Sequence, residues 1–166
     1  MSMMKINSSM DRLTFYYSRF EKQKRTGTSL TMTFEWGELK NLEEYGIAEA
    51  IHLGETNLVL TGIKNERLKA YYEKWGNYSD ELLNDAGEVW NEVANIETDE
   101  NGKVIYINGY YYKDNNFFWI EWQAGFETCS VEWDKYVTET EWENGYLPSD
   151  KLRANHNPEQ ARFIGT

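Results

Sequence analysis

The segment 96–133 most constrains the fold, because three turn signals divide it into runs of β-forming residues. Asn101 and Gly102 form a dipeptide typical of a type I′ hairpin turn, since both residues tolerate a positive φ. Residues 114–116 and 124–125 supply two further reversals. The segment therefore predicts an antiparallel meander, with strands near 96–99, 103–113, 117–123 and 127–133.

The last of these runs alternates between apolar and polar residues. Cys129, Val131 and Trp133 fall on one side of an extended strand, and polar residues fall between them. Such alternation is typical of a strand with one packed face and one solvated face. We therefore expect Cys129 to be a buried, unreactive packing residue. As the only cysteine it cannot form an intramolecular disulfide, which favours a reducing cytoplasm.

A β-hairpin is predicted near the start of the chain. Apolar residues alternate with polar ones over residues 13–17 and again over residues 30–36. The basic segment 22–29 lies between these runs and is expected to form the tip of the hairpin. A short helix beginning at Ser8 or Ser9 is the alternative for the first strand.

A second hairpin is predicted from two further β-forming runs. Its strands are expected at 47–53 and 57–63, and Gly54 lies in the short connection between them. Residues 38–45 have apolar positions at helical spacing, so one or two helical turns ending at Gly46 are expected before this hairpin.

Two helices are predicted in the centre of the chain. Apolar side chains recur at helical spacing over residues 65–75, with Asn65 as the expected N-cap. A longer amphipathic stripe covers residues 79–94. The sequence therefore predicts an α+β fold, in which an antiparallel sheet of N-terminal hairpins and a C-terminal β-meander is covered by two central helices. We expect a single domain over 1–166, with irregular ends at 1–8 and 148–166.

The negative charge is concentrated in the middle of the chain. The net charge is −11, yet residues 1–30 carry +4 and residues 151–166 carry +2, which leaves −17 for residues 31–150. A region this acidic repels nucleic acid and anionic lipid and attracts basic protein surfaces. The alternative is that the acidity serves solubility.

Motifs for nucleotide, metal or nucleophilic chemistry are absent from the sequence. There is no glycine-rich phosphate loop and no pattern of zinc ligands, and the only histidines are His52 and His156. His52 lies in an apolar run and is expected to be structural. Residues 99–102 lack the spaced ligands of a calcium loop and predict a plain turn. We therefore expect no catalytic residue, cofactor or metal.

The acidic and aromatic residues near the C-terminus are the candidates for partner binding. Residues 137–143 alternate as a strand would, which places three glutamates on one face at intervals of about 6.5–7 Å, close to the phosphate repeat of nucleic acid. The alternative is a charged edge strand that discourages aggregation. The candidate partner-binding residues are Glu132, Asp134, Glu139, Glu141, Trp142 and Glu143.

These features favour a non-enzymatic, cytoplasmic binding protein that inhibits a basic, nucleic-acid-handling protein such as a nuclease or toxin. Two settings fit: a phage or mobile-element inhibitor of host defence, such as an anti-CRISPR, anti-restriction or DNA-mimic protein, or an immunity protein. We expect no direct nucleic-acid binding and no membrane association, and a homodimer stays open.

A second class of function is compatible with the same composition. Paired carboxylates and exposed aromatic rings also suit a small hydrolase or a carbohydrate-binding protein. A concave pocket with two facing carboxylates, one of them with a raised pKa, would favour this class, whereas a convex acidic face without a pocket would favour the inhibitor.

Overall fold

The computed structural model describes residues 2–5, 12–74, 77–81, 92–113 and 116–149. These residues form a predominantly β protein with one short α-helix, α1, at Glu139–Glu143 and a 3-10 helix at Glu43–Tyr45. The strands are β1 Ser2–Lys5, β2 Leu13–Thr14, β3 Phe20–Thr26, β4 Ser29–Phe34, β5 Gly37–Leu39, β6 Ile51–Leu53, β7 Thr56–Thr61, β8 Lys64–Lys74, β9 Asn77–Glu81, β10 Glu92–Thr98, β11 Val104–Lys113, β12 Asn116–Gly125, β13 Thr128–Trp133 and β14 Tyr136–Thr138.

The strands form three antiparallel sheets. Sheet I has the order β1-β13-β7-β4-β3, sheet II has the order β10-β11-β12-β8-β9, and sheet III has the order β14-β6-β5-β2. Every pair of neighbouring strands is antiparallel.

Sheets I and III are two halves of one sheet that turns a corner. The lateral order β13-β7-β4-β3 in sheet I matches the order β14-β6-β5-β2 in sheet III, and each strand of one half leads directly into its counterpart in the other. We call the connections between the two halves the corner; they are residues 15–19, 35–36, 54–55 and 134–135. Hydrogen bonds join neighbouring connections, for example from Gly54 N to Lys135 O at 2.9 Å.

One hydrophobic core is shared by all three sheets. The strands alternate as a half-buried strand should: in β7 the side chains of Leu58 and Leu60 are buried, and their neighbours are partly exposed. At the corner, the Phe15 ring stacks on Phe34 with centroids 4.0 Å apart. Gly37 lies against these rings, and a Cβ there would approach Phe15 to 2.9 Å, so the corner requires a glycine at this position.

The predicted meander is confirmed for three of its four strands. β10, β11 and β12 pair in sequence order. A turn is present at Asn101 and Gly102, but it is not the predicted type I′ turn, because only Gly102 has a positive φ, of 63°. Asp99 Oδ1 accepts hydrogen bonds from the backbone N–H groups of Lys103 and Val104 at 2.7 and 2.9 Å, so its carboxylate stabilises the turn.

The fourth strand, β13, leaves the meander. It pairs with β7 and β1 in sheet I and not with β12. The predicted reversal at 124–125 does not form a tight turn, because Gly125 still belongs to β12 and packs against Lys64. Glu127 N then donates to Thr61 O at 2.8 Å, which starts the pairing of β13 with β7.

The predicted α+β class is wrong. Residues 65–75 were expected to be a helix, but β8 pairs with β12 over most of its length and buries Leu68 in the shared core. Pairing with the aromatic strand β12 outweighs the weak helical periodicity of this segment. For the predicted helix at 79–94, residues 82–91 lie outside the described part of the chain. The described residues on both sides of that gap belong to strands β9 and β10.

Both N-terminal hairpins differ from the prediction. The basic segment is not a turn but most of strand β3, which pairs with β4. The second predicted hairpin is divided at the corner, because β6 belongs to sheet III and β7 to sheet I. The helical turns expected over 38–45 shorten to the 3-10 helix, which does end at Gly46 with a φ of 75°. The single domain with irregular ends stays a prediction, although Ser2–Lys5 forms strand β1.

An ion pair between Glu66 and Arg25 joins sheets I and II. Arg25 donates to both carboxylate oxygens of Glu66, and Trp122 Nε1–H donates to Oε1 at 2.8 Å. Burial acts to raise the pKa of Glu66, but the hydrogen bonds from Arg25 and Trp122 outweigh it and hold the pKa below its ordinary value.

We expect Glu66→Gln to reduce the free energy of unfolding at neutral pH. Because the folded state depresses the pKa of Glu66, its stabilising contribution exists above the ordinary pKa of about 4.5 and is lost as the pH falls through the folded value. The difference between wild type and variant should therefore shrink in acid. Urea unfolding at a series of pH values measures this difference. The same substitution at exposed Glu100 is the control, and a difference independent of pH would contradict the assignment.

A second prediction compares two tryptophans of β12. Trp122 faces the core and is 1% exposed, whereas Trp119 lies on the opposite face of the strand. Trp122→Ala should reduce stability by about 3–5 kcal/mol. Trp119→Ala should cost about 1 kcal/mol, because it loses mainly a surface contact between aromatic rings. Thermal and urea unfolding give both values, and equal losses would contradict the assigned faces of β12.

Candidate functional site: an acidic cleft at the corner

A cleft of about 630 Å³ opens where sheets I and III meet. The corner connections and strands β5 and β6 form its floor and one wall. The α1 helix and the segment that follows it form the other wall. The lining residues are Glu35, Trp36, Glu38, His52, Leu53, Gly54, Glu55, Trp142, Leu147, Pro148 and Ser149.

Trp36 is held in the cleft by a buried serine from the neighbouring connection. The Ser18 hydroxyl donates to Trp36 O at 2.7 Å and accepts from Trp36 N–H at 3.1 Å. Ser18 is fully buried, so these two bonds satisfy its hydroxyl and fix the backbone of Trp36. Glu35, the preceding residue, is fixed in turn by the bond from its N–H to Arg19 O at 2.9 Å.

Helix α1 replaces the strand predicted over 137–143. Thr138 is its N-cap: the Thr138 hydroxyl accepts from Glu141 N–H at 3.2 Å, and Glu141 Oε1 accepts from Thr138 N–H at 3.3 Å. This reciprocal capping box, Thr-x-x-Glu, is visible in the sequence and outweighs the apparent alternation. Glu139, Glu141 and Glu143 therefore do not form a row on one strand face, and the predicted phosphate-like spacing is wrong.

Helix α1 brings two of the predicted residues to His52. The imidazole ring stacks on the Trp142 indole, with centroids 4.5 Å apart and an interplanar angle of 11°. His52 Nε2 lies 2.5 Å from Glu139 Oε2, and in this hydrogen bond the ring N–H donates to the carboxylate oxygen. His52 is buried, hydrogen-bonded and stacked, and it also lines the cleft, so the expectation that it is structural stays a prediction. These contacts fix the orientation of the Trp142 ring, which is 43% exposed.

The other predicted partner-binding residues lie apart from the cleft lining. Glu132 belongs to β13 and Asp134 follows it, and neither lines the cleft. Glu141 caps α1, while Glu143 is exposed at its end. Of the six predicted residues, the structure thus places only Trp142 in the cleft lining, with Glu139 behind it.

Sequence reasoning missed the carboxylates that do line the cleft. Glu35 and Glu38 lie close together in the chain and Glu55 lies in a second part of it, and each is within two residues of Gly37 or Gly54. Strand pairing places Glu38 opposite His52, a register that the sequence does not reveal. A local signal existed only in the combination of glutamate, tryptophan and glycine at 35–37.

The lining carries negative charge and aromatic surface. Three glutamates and two tryptophans face the same space, and no lysine or arginine is among the described lining residues. Carboxylates attract a cation by Coulomb interaction, and the face of an indole ring attracts it through its quadrupole. The cleft is therefore suited to a positively charged group.

Two observations on the described residues bear on nucleophilic and metal chemistry. Cys129 is 2% exposed, which confirms the expected burial, and this burial raises the pKa of its thiol to about 12. Within the described ranges, no three His, Cys, Asp or Glu side chains are grouped so that they could hold a metal ion. No helix in the part of the chain that the structure describes is long and apolar enough to cross a membrane.

The Cys129 thiol should resist modification in the native protein. Its raised pKa keeps it protonated at neutral pH, and its position on the packed face of β13 excludes reagents. Ellman's reagent should label less than about a tenth of the thiol in native protein within the time that labels all of it in urea. Fast native labelling would contradict the packing of β13.

Comparison with known proteins gives no relative: no family model, no curated protein and no solved structure matches this chain. Function lies in sites and not in folds, so a functional assignment rests on the cleft and on the chemistry of the chain's other surfaces.

Proposed function

We propose that this protein is a non-enzymatic binding protein that inhibits a basic, nucleic-acid-handling partner in the cytoplasm, and that the cleft receives a cationic side chain of that partner. The observation that carries the proposal is that one cleft is lined by Glu35, Glu38 and Glu55 together with Trp36 and Trp142. A nuclease or toxin with a basic surface is the kind of partner that these groups suit.

An arginine side chain fits the cleft best. Its planar guanidinium can stack on an indole face while its N–H groups donate to carboxylates, whereas a lysine ammonium is more strongly hydrated. The volume of about 630 Å³ lies within the usual range of ligand pockets and holds one side chain with its flanking backbone. Arginine and tryptophan are also the residues most often found at the energetic centre of protein interfaces.

Long-range attraction supports the same kind of partner. The net charge of −11 accelerates the approach of a basic surface, and this acceleration weakens as salt screens the charges. The cleft would then fix the partner by short-range contacts. The overall charge would thus determine the rate of association, and the contacts in the cleft would determine the lifetime of the complex.

A small hydrolase is the second candidate for the same cleft. The cleft is concave and lined by carboxylates and tryptophans, a feature that favours this class, and glycosidases likewise use a pair of carboxylates in a cleft. A panel of nitrophenyl glycosides and esters tests it directly, because turnover that is lost in Glu35→Gln, Glu38→Gln or Glu55→Gln would establish the hydrolase and reject the binding protein.

The cleft is tested with a short acetylated peptide that contains one arginine between glycines and serines. Wild type should bind this peptide at low salt, and the same peptide with citrulline, an uncharged isostere, should bind about tenfold more weakly, or about 1.4 kcal/mol. The triple variant Glu35→Gln, Glu38→Gln, Glu55→Gln should also bind about tenfold more weakly. Titration followed by NMR or calorimetry gives the affinities.

A matched variant distinguishes the effect of the cleft on peptide binding from the effect of net charge. Glu97, Glu100 and Glu127 are exposed and lie outside the cleft, so their triple substitution by glutamine changes the net charge equally. It should weaken peptide binding less than about threefold. Equal losses in the two triple variants would reject the cleft as the site.

The inhibitory role requires the partner itself. A basic protein captured from host lysate and released at high salt should be retained less by the cleft variant than by the matched variant. Its nucleic-acid-directed activity should fall when the wild-type protein is added. A captured protein that keeps full activity would reject inhibition.

A further inference from the structure

The outer face of sheet II carries a second group of aromatic and polar side chains. Strand register aligns Tyr110, Trp119 and Tyr71 in one row across β11, β12 and β8. The next row on the same face contains Asn108, Glu121 and Lys69. We call these six residues the platform. The alternate residues of these strands, including Ile107, Ile120 and Leu68, face the core.

The aromatic row presents ring surface at the outside of the sheet. The rings of Tyr110 and Trp119 meet edge to face with centroids 5.1 Å apart. Trp119 Nε1–H donates to Glu121 Oε1 at 3.2 Å, which links the aromatic row to the polar row. Tyr71, Tyr110 and Trp119 are each partly exposed. Neighbouring strands lie about 4.8 Å apart, so the row extends about 10 Å across the sheet.

Two exposed tyrosines of the corner extend this aromatic surface. Tyr16 and Tyr17 are 52% and 56% exposed, their rings lie 4.0 Å apart, and their hydroxyls are hydrogen-bonded at 3.0 Å. The pKa of Tyr17 is raised, first by the hydrogen bond with Tyr16. Tyr17 N–H donates to Val93 O at 2.9 Å in β10, the strand that pairs with β11, so this pair lies at the edge of sheet II near Tyr110.

Tyr17 is also held in a strained backbone conformation. Its φ is 62°, which is uncommon for a bulky residue and normally favours glycine or asparagine. The bond from Tyr17 N–H to Val93 O at 2.9 Å helps to hold it there. The bend of the sheet explains the backbone conformation at this position but not why the residue is a tyrosine. Such backbone strain clusters at active sites, ligand clamps and switch regions.

The polar row has hydrogen-bonding groups that the protein itself does not use. Within the described residues, Asn108 and Lys69 make no side-chain hydrogen bond, and Lys69 makes no ion pair although it lies opposite Glu121. Gln123 and Arg67 lie opposite each other in the next row and are likewise unpaired in the described part of the chain. These amides and cations remain available to a ligand.

The charge of the platform differs from that of the whole protein. Glu121 and Lys69 balance each other, whereas the chain carries −11 and the cleft lining carries only carboxylates. A balanced surface gives no electrostatic advantage to a strongly charged ligand. Single-stranded nucleic acid, which also stacks on aromatic rings, would be repelled by the net charge of the protein. A purely apolar ligand would bury the polar row without partners.

We propose that the platform binds a neutral oligosaccharide. One side of a pyranose ring presents C–H groups, which pack on aromatic rings, and its rim carries hydroxyls. Asn108 can donate to one hydroxyl and accept from another, while Glu121 accepts and Lys69 donates. The aromatic row therefore supplies the stacking surface and the polar row the hydrogen bonds. This site is separate from the cleft, and it stands whether or not the cleft binds a basic partner.

The experiment titrates wild-type protein with cellohexaose, mannohexaose and maltohexaose, which are neutral hexasaccharides of different linkage and geometry. At least one should bind with a dissociation constant in the micromolar to millimolar range, followed by NMR or calorimetry. Trp119→Ala should weaken that binding at least about tenfold, and Asn108→Ala should weaken it about threefold to tenfold. Trp142→Ala, which removes an aromatic ring of the cleft, should change it less than about twofold.

Each contrary result overturns the proposal. If wild type binds none of the three hexasaccharides at millimolar concentration, the platform is not a site for neutral sugars. If Trp142→Ala abolishes binding and Trp119→Ala does not, the sugar site is the cleft. Binding of an eight-nucleotide oligothymidine that depends on Trp119, without sugar binding, would assign the platform to nucleic acid. Asn108→Ala and Lys69→Ala leave the rings in place and keep the test valid if Trp119→Ala fails to fold.

Discussion

The pairing of β7 with β4 on one side and β13 on the other is the interaction on which the rest of the structure depends. These three strands are the centre of sheet I, and each of them leads at the corner into a strand of sheet III. β13 is also preceded directly by β12, so the same strand connects sheet I to sheet II. If this pairing were lost, neither the corner nor the shared core could form. Leu58, Leu60 and Val131 are fully buried here because both neighbours of β7 present their apolar side to the same core.

The corner determines where the functional groups lie. Backbone hydrogen bonding between strands is interrupted where a sheet bends. The Ser18 hydroxyl replaces the missing hydrogen bonds of the Trp36 backbone, and Gly37 leaves room for the Phe15 ring. Side chains at such a bend diverge from the regular alternation of strands. Glu35 and Trp36 from one connection can therefore line the same cleft as Glu55 from another. The strained Tyr17 also lies in a connection of this bend.

Local signals in the sequence predicted part of this structure. The turn at Asn101 and Gly102, three strands of the meander and the burial of Cys129 follow from residue preferences over a few positions. The path of β13 into another sheet does not, because it depends on partners more than sixty residues away along the chain. The segment of β8 shows how tertiary pairing can outweigh helical periodicity. Helix α1 is different, because two patterns in the same residues conflict. The capping box predicts a helix, whereas the alternation of glutamates over 137–143 favours a strand.

The candidate site was less predictable than the fold. Trp142 was identified because acidic and aromatic residues are interleaved near it, and Glu139 was identified for the wrong reason, as part of a strand. The carboxylates of the cleft are brought together only by strand register and by the bend of the sheet. Neither can be predicted from a short segment of sequence. The platform similarly requires the register of β11, β12 and β8. This register is hidden in the sequence, because the apolar periodicity of residues 65–75 predicts a helix where β8 lies.

The pairing of β1 with β13 has a consequence for the order of folding. Ser2 lies opposite Trp133, so strand β1 and its neighbour β13 in sheet I are separated by most of the chain. During synthesis the N-terminal residues leave the ribosome long before β13 exists, and loop closure over such a distance is slow. Sheet II can begin to form from the neighbouring strands β10, β11 and β12, but β13 must emerge before sheet I can be completed. The newly made chain therefore exposes one edge of sheet I until late in translation, which is the interval in which it most needs protection from aggregation.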